Sequence, residues 1–302
     1  MSLVWLPFPH GDLGEAPAGL TYDVYVDGEP PVDIDRVELF VPAYDTFSTD
    51  LDLAAVLPRM RSLRVVQTLT AGTEHVARHL PDGVTLCSAR GVHDAATAEM
   101  AMALMLASIR RIPEYVRAQP AHDWRHDTNG PALADSRVVI IGYGSIGEAL
   151  GRRLEPFECE VVRVARRARD GVRPMSDLPE ILPTADVVVL LVPLTPDTRH
   201  LVDADFLAKM KDGATLVNVA RGGVVDNDAL LAETSKGRLY AALDVMTPEP
   251  LPAGNALWDS PGVLITPHVA GGTAAMVPRM HALLRDQLRR FVAGERLLNV
   301  VN

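Results

Sequence analysis

The hexapeptide GYGSIG, Gly142 to Gly147, follows the apolar run RVVII and opens a helix-like stretch, SIGEALGRRL. In that strand, turn and helix context, the G-x-G-x-x-G spacing suits the pyrophosphate of a dinucleotide. Gly142 permits the tight turn, Gly144 lets a phosphate approach the backbone, and Gly147 lets the helix pack closely on the strand. The N–H groups and positive dipole end of that helix complete an anion site. A second feature lies further on. The strand-like CEVVRVAR reaches Ala165 at 18 positions past Gly147, near the roughly 20 expected for the acid that accepts from the ribose hydroxyls of NAD. Here Arg166 and Arg167 come next. A guanidinium there pairs with a 2′-phosphate, which an acid would repel, so the spacing implies NADP(H) as preferred cofactor and NAD(H) as second. The bland alternative is a pair of exposed surface charges.

Three further residues able to do chemistry stand in short motifs: Arg221 in NVARGG, Glu249 in PEP and His268 in TPHVAGG. Singly, an Arg after a strand is usually solvated or salt-bridged, a Glu between prolines is usually a turn residue, and a lone His is usually not catalytic.

The elements that must position these groups alternate between strand and helix along the whole chain, without repeats or low-complexity tracts. That alternation predicts parallel sheets covered by helices on both faces. LVWLP, YDVYV, VELFVPA, LRVVQTL and VTLCSA read as strands of a first domain. DLDLAAVLPRM and TEHVARHL read as its helices, with Asp50 or Thr73 as N-caps. The run from Asp94 to Arg111 is apolar on nearly every face, which predicts a buried connecting helix at a domain or subunit interface, ending near Ile112 and Pro113. A less regular segment follows, EYVRAQPAHDWRHDTNGPALAD. Six strands then alternate with helices, as in a doubly wound nucleotide-binding sheet. A last helix from about Thr273 to Val292 is expected to return to the first domain. The expected fold is therefore α/β with two doubly wound parallel-sheet domains. Residues 1–94 and 274–302 form a flavodoxin-like substrate domain, and an inserted Rossmann domain spans 95–273.

Bulk properties exclude several classes. The 302 residues allow two ordinary domains, and the 29 basic against 39 acidic residues leave a net charge of -10, which disfavours nucleic acid and anionic membranes as partners. No apolar run reaches the roughly 18 residues of a membrane span, and MSLVWLPFPHG lacks the basic region of a signal peptide. Cys87 and Cys159 sit in strand-like runs, as expected of reduced buried thiols in a cytoplasmic protein. His122 and His126 have i, i+4 spacing but no third ligand motif, so no metal is expected.

Beyond the glycine loop, three stretches carry a resemblance: ADVVVLLVPLTPDTRHLVD, MKDGATLVNVARGGVVDNDAL, and AALDVMTPEPLP with ITPHVAGGT. They are similar to the signature segments of the D-isomer-specific 2-hydroxyacid dehydrogenase family, and the resemblance runs over nearly the whole chain. It implies a reductase of small 2-oxoacids to D-2-hydroxyacids, with glyoxylate or hydroxypyruvate as substrate class. It also implies a homodimer joined through the segment after Pro113. Arg221 matches the arginine that binds the carboxylate and carbonyl oxygen, a job suited to its planar fork. His268 matches the acid/base, and Glu249 the partner that orients the ring and favours its protonated form. Ala71 and Gly72, in LTAGTEHV, match backbone donors to the substrate carboxylate. Tyr143, Ser145, Ile146, Val192, Pro193, Thr198, Ala220 and Asp244 match positions lining the dinucleotide, with Asp244 expected to accept from the nicotinamide amide. The chain departs from relatives in lacking a Leu-x-Gly-Lys lead-in before the first Rossmann strand, and in Val192, where His or Cys is frequent. Two rivals remain. A D-3-phosphoglycerate dehydrogenase is disfavoured by Thr70, where such relatives often carry Arg, and by an end at Asn302 that leaves no room for a regulatory domain. A dinucleotide-sensing, corepressor-like interaction protein is the rival from another class.

Overall fold

The structure is a computed structural model describing residues 1–14, 17–24, 30, 33–44, 51–126 and 130–302. The chain divides into two compact units, Met1–His93 with Ala274–Asn302, and Asp94–Thr273.

The first unit holds strands β1 (Ser2–Leu6), β2 (Leu20–Val24), β3 (Val37–Phe40), β4 (Val65–Gln67) and β5 (Thr85–Cys87). All pairings are parallel, in the order β2-β1-β3-β4-β5, the flavodoxin-like arrangement expected. Successive side chains on a strand point to opposite faces. Val4, Leu6, Leu39, Val65 and Cys87 accordingly enter one core, and Trp5, Phe40, Val66 and Leu86 the other. The α-helices between these strands are short: α1 (Leu53–Val56) and α2 (Glu74–Ala77). Asp52 caps α1 by accepting from the Ala54 and Ala55 N–H groups. Asp50, one of the expected caps, lies outside the described residues, as does the end of YDVYV beyond Val24. Thr73 precedes α2 but makes no side-chain cap. The C-terminal helix, Met276–Ala293, belongs to this unit. It buries Met280, Leu284, Gln287, Leu288 and Phe291 along one face, each apolar member contributing about 1.5 to 3 kcal/mol. It stops at Gly294, whose φ of 65° suits a left-handed cap.

The second unit opens with α3 (Asp94–Ile109), followed by α4 (Ile112–Ala118). Arg111, at φ 55°, breaks the ladder, and Pro113 sits in the first turn of α4. Proline is tolerated there because that N–H has no intrahelical partner. The segment expected to be irregular thus begins as a helix. One face of α3, including Ala98, Ala101, Met102 and Met105, packs on the sheet, while Glu99, Ala103 and Arg110 are exposed. Within its unit α3 is therefore less enclosed than its composition suggests.

The sheet comprises β6 (Arg137–Ile141), β7 (Glu160–Ala165), β8 (Arg173–Pro174), β9 (Val187–Leu190), β10 (Thr215–Asn218), β11 (Tyr240–Leu243) and β12 (Val263–Ile265). All are parallel, in the order β12-β11-β10-β9-β6-β7-β8. The two-residue β8 adds a seventh strand to the six expected. Between the strands lie α5 (Ser145–Leu154), α6 (Leu178–Ile181), α7 (Ala204–Lys209) and α8 (Asn227–Thr234). The runs VVII and VVVL are apolar throughout because both faces are covered: Val139, Ile141, Val188 and Leu190 enter one core, and Val138, Ile140, Val187 and Val189 the other. The chain order reverses between β6 and β9, and ligands of open α/β sheets bind outside the carboxyl ends of strands at such a point.

Candidate active site

Every candidate residue of the second unit follows the carboxyl end of one of these parallel strands, so all emerge along the same sheet edge. The glycine loop follows β6. Gly142 has φ 103°, and a Cβ there would lie 2.5 Å from the Leu191 backbone carbon, so no other residue fits the turn. A Cβ on Gly147 would meet the Gly142 carbonyl at 2.9 Å, so the helix can sit this close only with glycine. A Cβ on Gly144 would meet nothing within 4 Å. It would project into the open approach to the first turn of α5, which begins at Ser145, Ile146 and Gly147 and whose N–H groups lack carbonyls one turn back. Those features fit a dinucleotide pyrophosphate.

Arg166 and Arg167 follow β7, are exposed, and form no hydrogen bond or ion pair with another described residue. Sequence reasoning missed Arg169, whose guanidinium donates to the Tyr143 carbonyl at 2.5 Å, pairs with Glu148 at 3.7 Å and lies 5.9 Å from the Tyr143 ring centroid. Arg163 approaches the same ring at 5.3 Å. The signal was present as a third arginine in RRARD, but only the fold brings it onto the glycine loop.

After β9, Val192 is nearly buried and Pro193 exposed. The Thr198 hydroxyl closes their turn, donating to the Pro193 carbonyl at 2.6 Å and accepting from the Thr195 N–H at 2.8 Å. After β10, the buried Asn218 braces the turn that presents Arg221. Its side chain accepts from the Ala220 N–H at 3.0 Å and donates to the Arg221 carbonyl at 3.1 Å. A Cβ on Gly222 would overlap the Met246 carbonyl, so glycine lets the arginine turn lie directly against the loop after β11.

That loop carries Glu249. Its Oε2 is 2.7 Å from His268 Nδ1, and its Oε1 accepts from the Met246 N–H at 2.8 Å. Burial by itself raises the Glu249 pKa, but the hydrogen bonds from His268 and Met246 and the charges of His268 and Arg221 outweigh it, so the carboxyl titrates below its ordinary value. Nδ1 is the ring nitrogen that faces the carboxylate. His268 has φ 54°, a conformation unusual for a residue with a side chain.

Asp244 explains how that conformation is held. It is fully buried, with 0% exposure. Oδ1 accepts from the Thr266 hydroxyl at 2.6 Å and the Val269 N–H at 3.1 Å, and Oδ2 accepts from the Ala270 N–H at 3.0 Å. Its carbonyl accepts from the His268 N–H at 2.7 Å. The carboxylate thereby pins the histidine loop.

In the first unit, Ala71 and Gly72 follow β4, and neither N–H donates to any described residue. Thr70 folds the loop, its hydroxyl donating to the Gly72 carbonyl at 2.6 Å. His122 and His126 are exposed, and among the described residues no group of three or more His, Cys, Asp or Glu could hold a metal ion.

The model of the D-isomer specific 2-hydroxyacid dehydrogenase NAD binding domain matches residues 102–270. The chain is 34% identical over 247 residues to a glyoxylate reductase/hydroxypyruvate reductase of Mus musculus, covering 78% of this chain and 75% of the relative. It is 33% identical over 300 residues to a D-3-phosphoglycerate dehydrogenase of Mycobacterium bovis, covering 92% of this chain and 54% of the relative. Among solved structures, an NADPH-dependent glyoxylate/hydroxypyruvate reductase from Sinorhizobium meliloti in complex with NADP and sulfate superposes with a TM-score of 0.85 at 29% identity, covering 100% of this chain and 98% of the other. The chain therefore belongs to the D-isomer specific 2-hydroxyacid dehydrogenases, oxidoreductases that bind a nicotinamide cofactor and act on a CH–OH group.

Proposed function

We propose that this chain is an NADPH-preferring reductase of glyoxylate or hydroxypyruvate. The observation that carries the reading is the Glu249–His268 pair at 2.7 Å, presented at the same strand ends as the glycine loop and Arg221. The mouse and Sinorhizobium relatives, whose names carry these substrates, support it. The exposed Arg166 and Arg167 at the end of β7 support the 2′-phosphate preference. Arg169, already fixed to the Tyr143 carbonyl, adds positive charge beside the loop.

When bound, the cofactor supplies hydride to the substrate carbon. The chain's own residues do the rest. The Ala71 and Gly72 N–H groups and the Arg221 fork orient the 2-oxoacid, and the guanidinium polarises its carbonyl. His268 Nε2 delivers a proton to the carbonyl oxygen, while Nδ1–H remains on Glu249, whose negative charge stabilises the protonated ring beforehand. Ser145, Ile146 and the loop glycines receive the pyrophosphate, with Tyr143, Val192, Pro193, Thr198 and Ala220 lining the cofactor.

The phosphoglycerate relative matches the chain over a greater length, so a second reading is oxidation of D-3-phosphoglycerate. Coupled assays of 3-phosphoglycerate oxidation against hydroxypyruvate reduction decide between them: faster hydroxypyruvate turnover is expected, and the reverse order would transfer the chain to the second reading. We also infer a homodimer, because Ile112 and Val116 of α4 are 47% and 57% exposed and Trp124 is 90% exposed, an apolar face suited to a second copy. Both cysteines are free thiols, which supports residence in the reducing cytoplasm. Among the described residues no helix is long and apolar enough to cross a membrane.

A further inference from the structure

The proposed carboxylate donors, the Ala71 and Gly72 N–H groups, lie at the end of a line of hydrogen bonds that begins on the C-terminal tail. Every group in it belongs to the unit formed by residues 1–93 and 274–302. The Leu298 N–H donates to Gln287 Oε1 at 2.8 Å. Gln287 Nε2 donates to the Leu298 carbonyl at 3.1 Å and to Gln67 Oε1 at 2.7 Å. Gln67 Nε2 donates in turn to the Thr68 carbonyl at 2.9 Å. The Thr68 hydroxyl donates to the Thr70 carbonyl at 2.8 Å, and the Thr70 hydroxyl to the Gly72 carbonyl.

Gln67, Thr68 and Gln287 all have 0% exposure. An amide placed in an apolar core costs stability unless its donors and acceptor are engaged. Here each glutamine has its oxygen and nitrogen partnered, and the two come from positions 220 apart in the chain. The line ends on the peptides that matter. The Thr70 carbonyl shares its peptide group with the Ala71 N–H, and it accepts from both the Thr68 hydroxyl and the Ala89 N–H, the latter at 2.9 Å. Hydrogen bonds accepted by a carbonyl polarise its peptide and strengthen the N–H as a donor. The same bonds fix where that N–H points. His93 Nε2 holds the Leu69 carbonyl independently at 2.8 Å, so the loop keeps one anchor when the glutamine line is cut.

We propose that Gln287 and Gln67 are positioning residues for the Ala71–Gly72 donors, so that the C-terminal helix and tail set the affinity for the substrate carboxylate. The proposal rests on the assignment of those donors to the carboxylate.

The test uses the full-length protein with Gln287→Leu, Gln67→Leu and the double variant. Hydrogen–deuterium exchange reads the loop without substrate, and faster exchange over residues 68–72 is expected in all three. Initial rates should show KM for hydroxypyruvate raised about tenfold, equivalent to about 1.4 kcal/mol, with kcat and KM for NADPH within about twofold. The double variant separates positioning from packing. An apolar pair of similar shape restores a core that merely needed filling, yet leaves the Thr68 carbonyl without its donor. Positioning therefore predicts that KM stays raised in the double variant, and a return to the wild-type KM overturns the proposal. Unchanged exchange over 68–72 overturns it as well, and Gln67→Leu supplies both readouts should Gln287→Leu not fold. Gly72→Val tests the underlying assignment. If Gly72→Val leaves KM unchanged, the carboxylate assignment fails; if it raises KM while the glutamine variants do not, the positioning role fails alone.

Discussion

Replacing Glu249 by Gln should lower kcat/KM for hydroxypyruvate reduction by about ten- to thirtyfold, and the size follows from how the carboxylate is used. Both of its oxygens accept: Oε2 faces His268 Nδ1 at 2.7 Å, and Oε1 faces the Met246 N–H at 2.8 Å. A glutamine offers one acceptor and one donor, so against the protonated ring that must deliver the proton, one of the two contacts sets donor against donor whichever way it turns. A hydrogen bond to a charged group is worth about 1.5 to 3 kcal/mol, or about ten- to 150-fold at about 1.36 kcal/mol per factor of ten. The His268 side chain is 37% exposed, so solvent screening favours the lower part of that range. The assay is initial-rate kinetics against pH. Stability should respond on the acid side. Glu249 titrates below its ordinary value of 4.5 in the folded chain, so its contribution is complete above that value and is lost as pH falls through the folded pKa. The difference in unfolding free energy between wild type and variant should shrink over that interval. Activity within about twofold of wild type at all pH values would refute the assigned role of the pair.

Two further predictions address the cofactor and the histidine loop. Arg166→Ala should raise KM for NADPH about tenfold while leaving KM for NADH unchanged, because only the former carries the phosphate the guanidinium meets; parallel titrations of both cofactors check this. Asp244→Asn should cost about 2 kcal/mol in urea unfolding and lower kcat, since its amide must confront one of the Thr266, Val269 or Ala270 donors. Equal unfolding midpoints for variant and wild type would show that the carboxylate does not hold the loop.

The parts of this molecule that were legible in sequence are those encoded locally. The apolar runs gave the strands, and the glycine loop could be read because strand, turn and helix are contiguous. Arg221, Glu249 and His268 stood out through motifs, although the 2.7 Å contact between the last two is a product of the fold. Other features were hidden for physical reasons. A carboxylate at a strand end reads the same whatever it meets, so the three protein donors on Asp244 are visible only in the fold. Arg111 breaks the ladder and Pro113 lies in the first turn of the next helix, whereas the sequence shows only the interruption. The two-residue β8 is too short to display alternation. Arg169 needed the loop of β6 beside it, and Gln67 has meaning only with Gln287.

The most direct test is a comparison of initial rates with NADPH and NADH on hydroxypyruvate and glyoxylate, using the same preparation. Turnover of both 2-oxoacids, with kcat/KM for NADPH at least about tenfold above that for NADH, is the expected result. A preference for NADH would return Arg166 and Arg167 to the status of surface charges, and absence of turnover with either cofactor would contradict the proposed reaction itself.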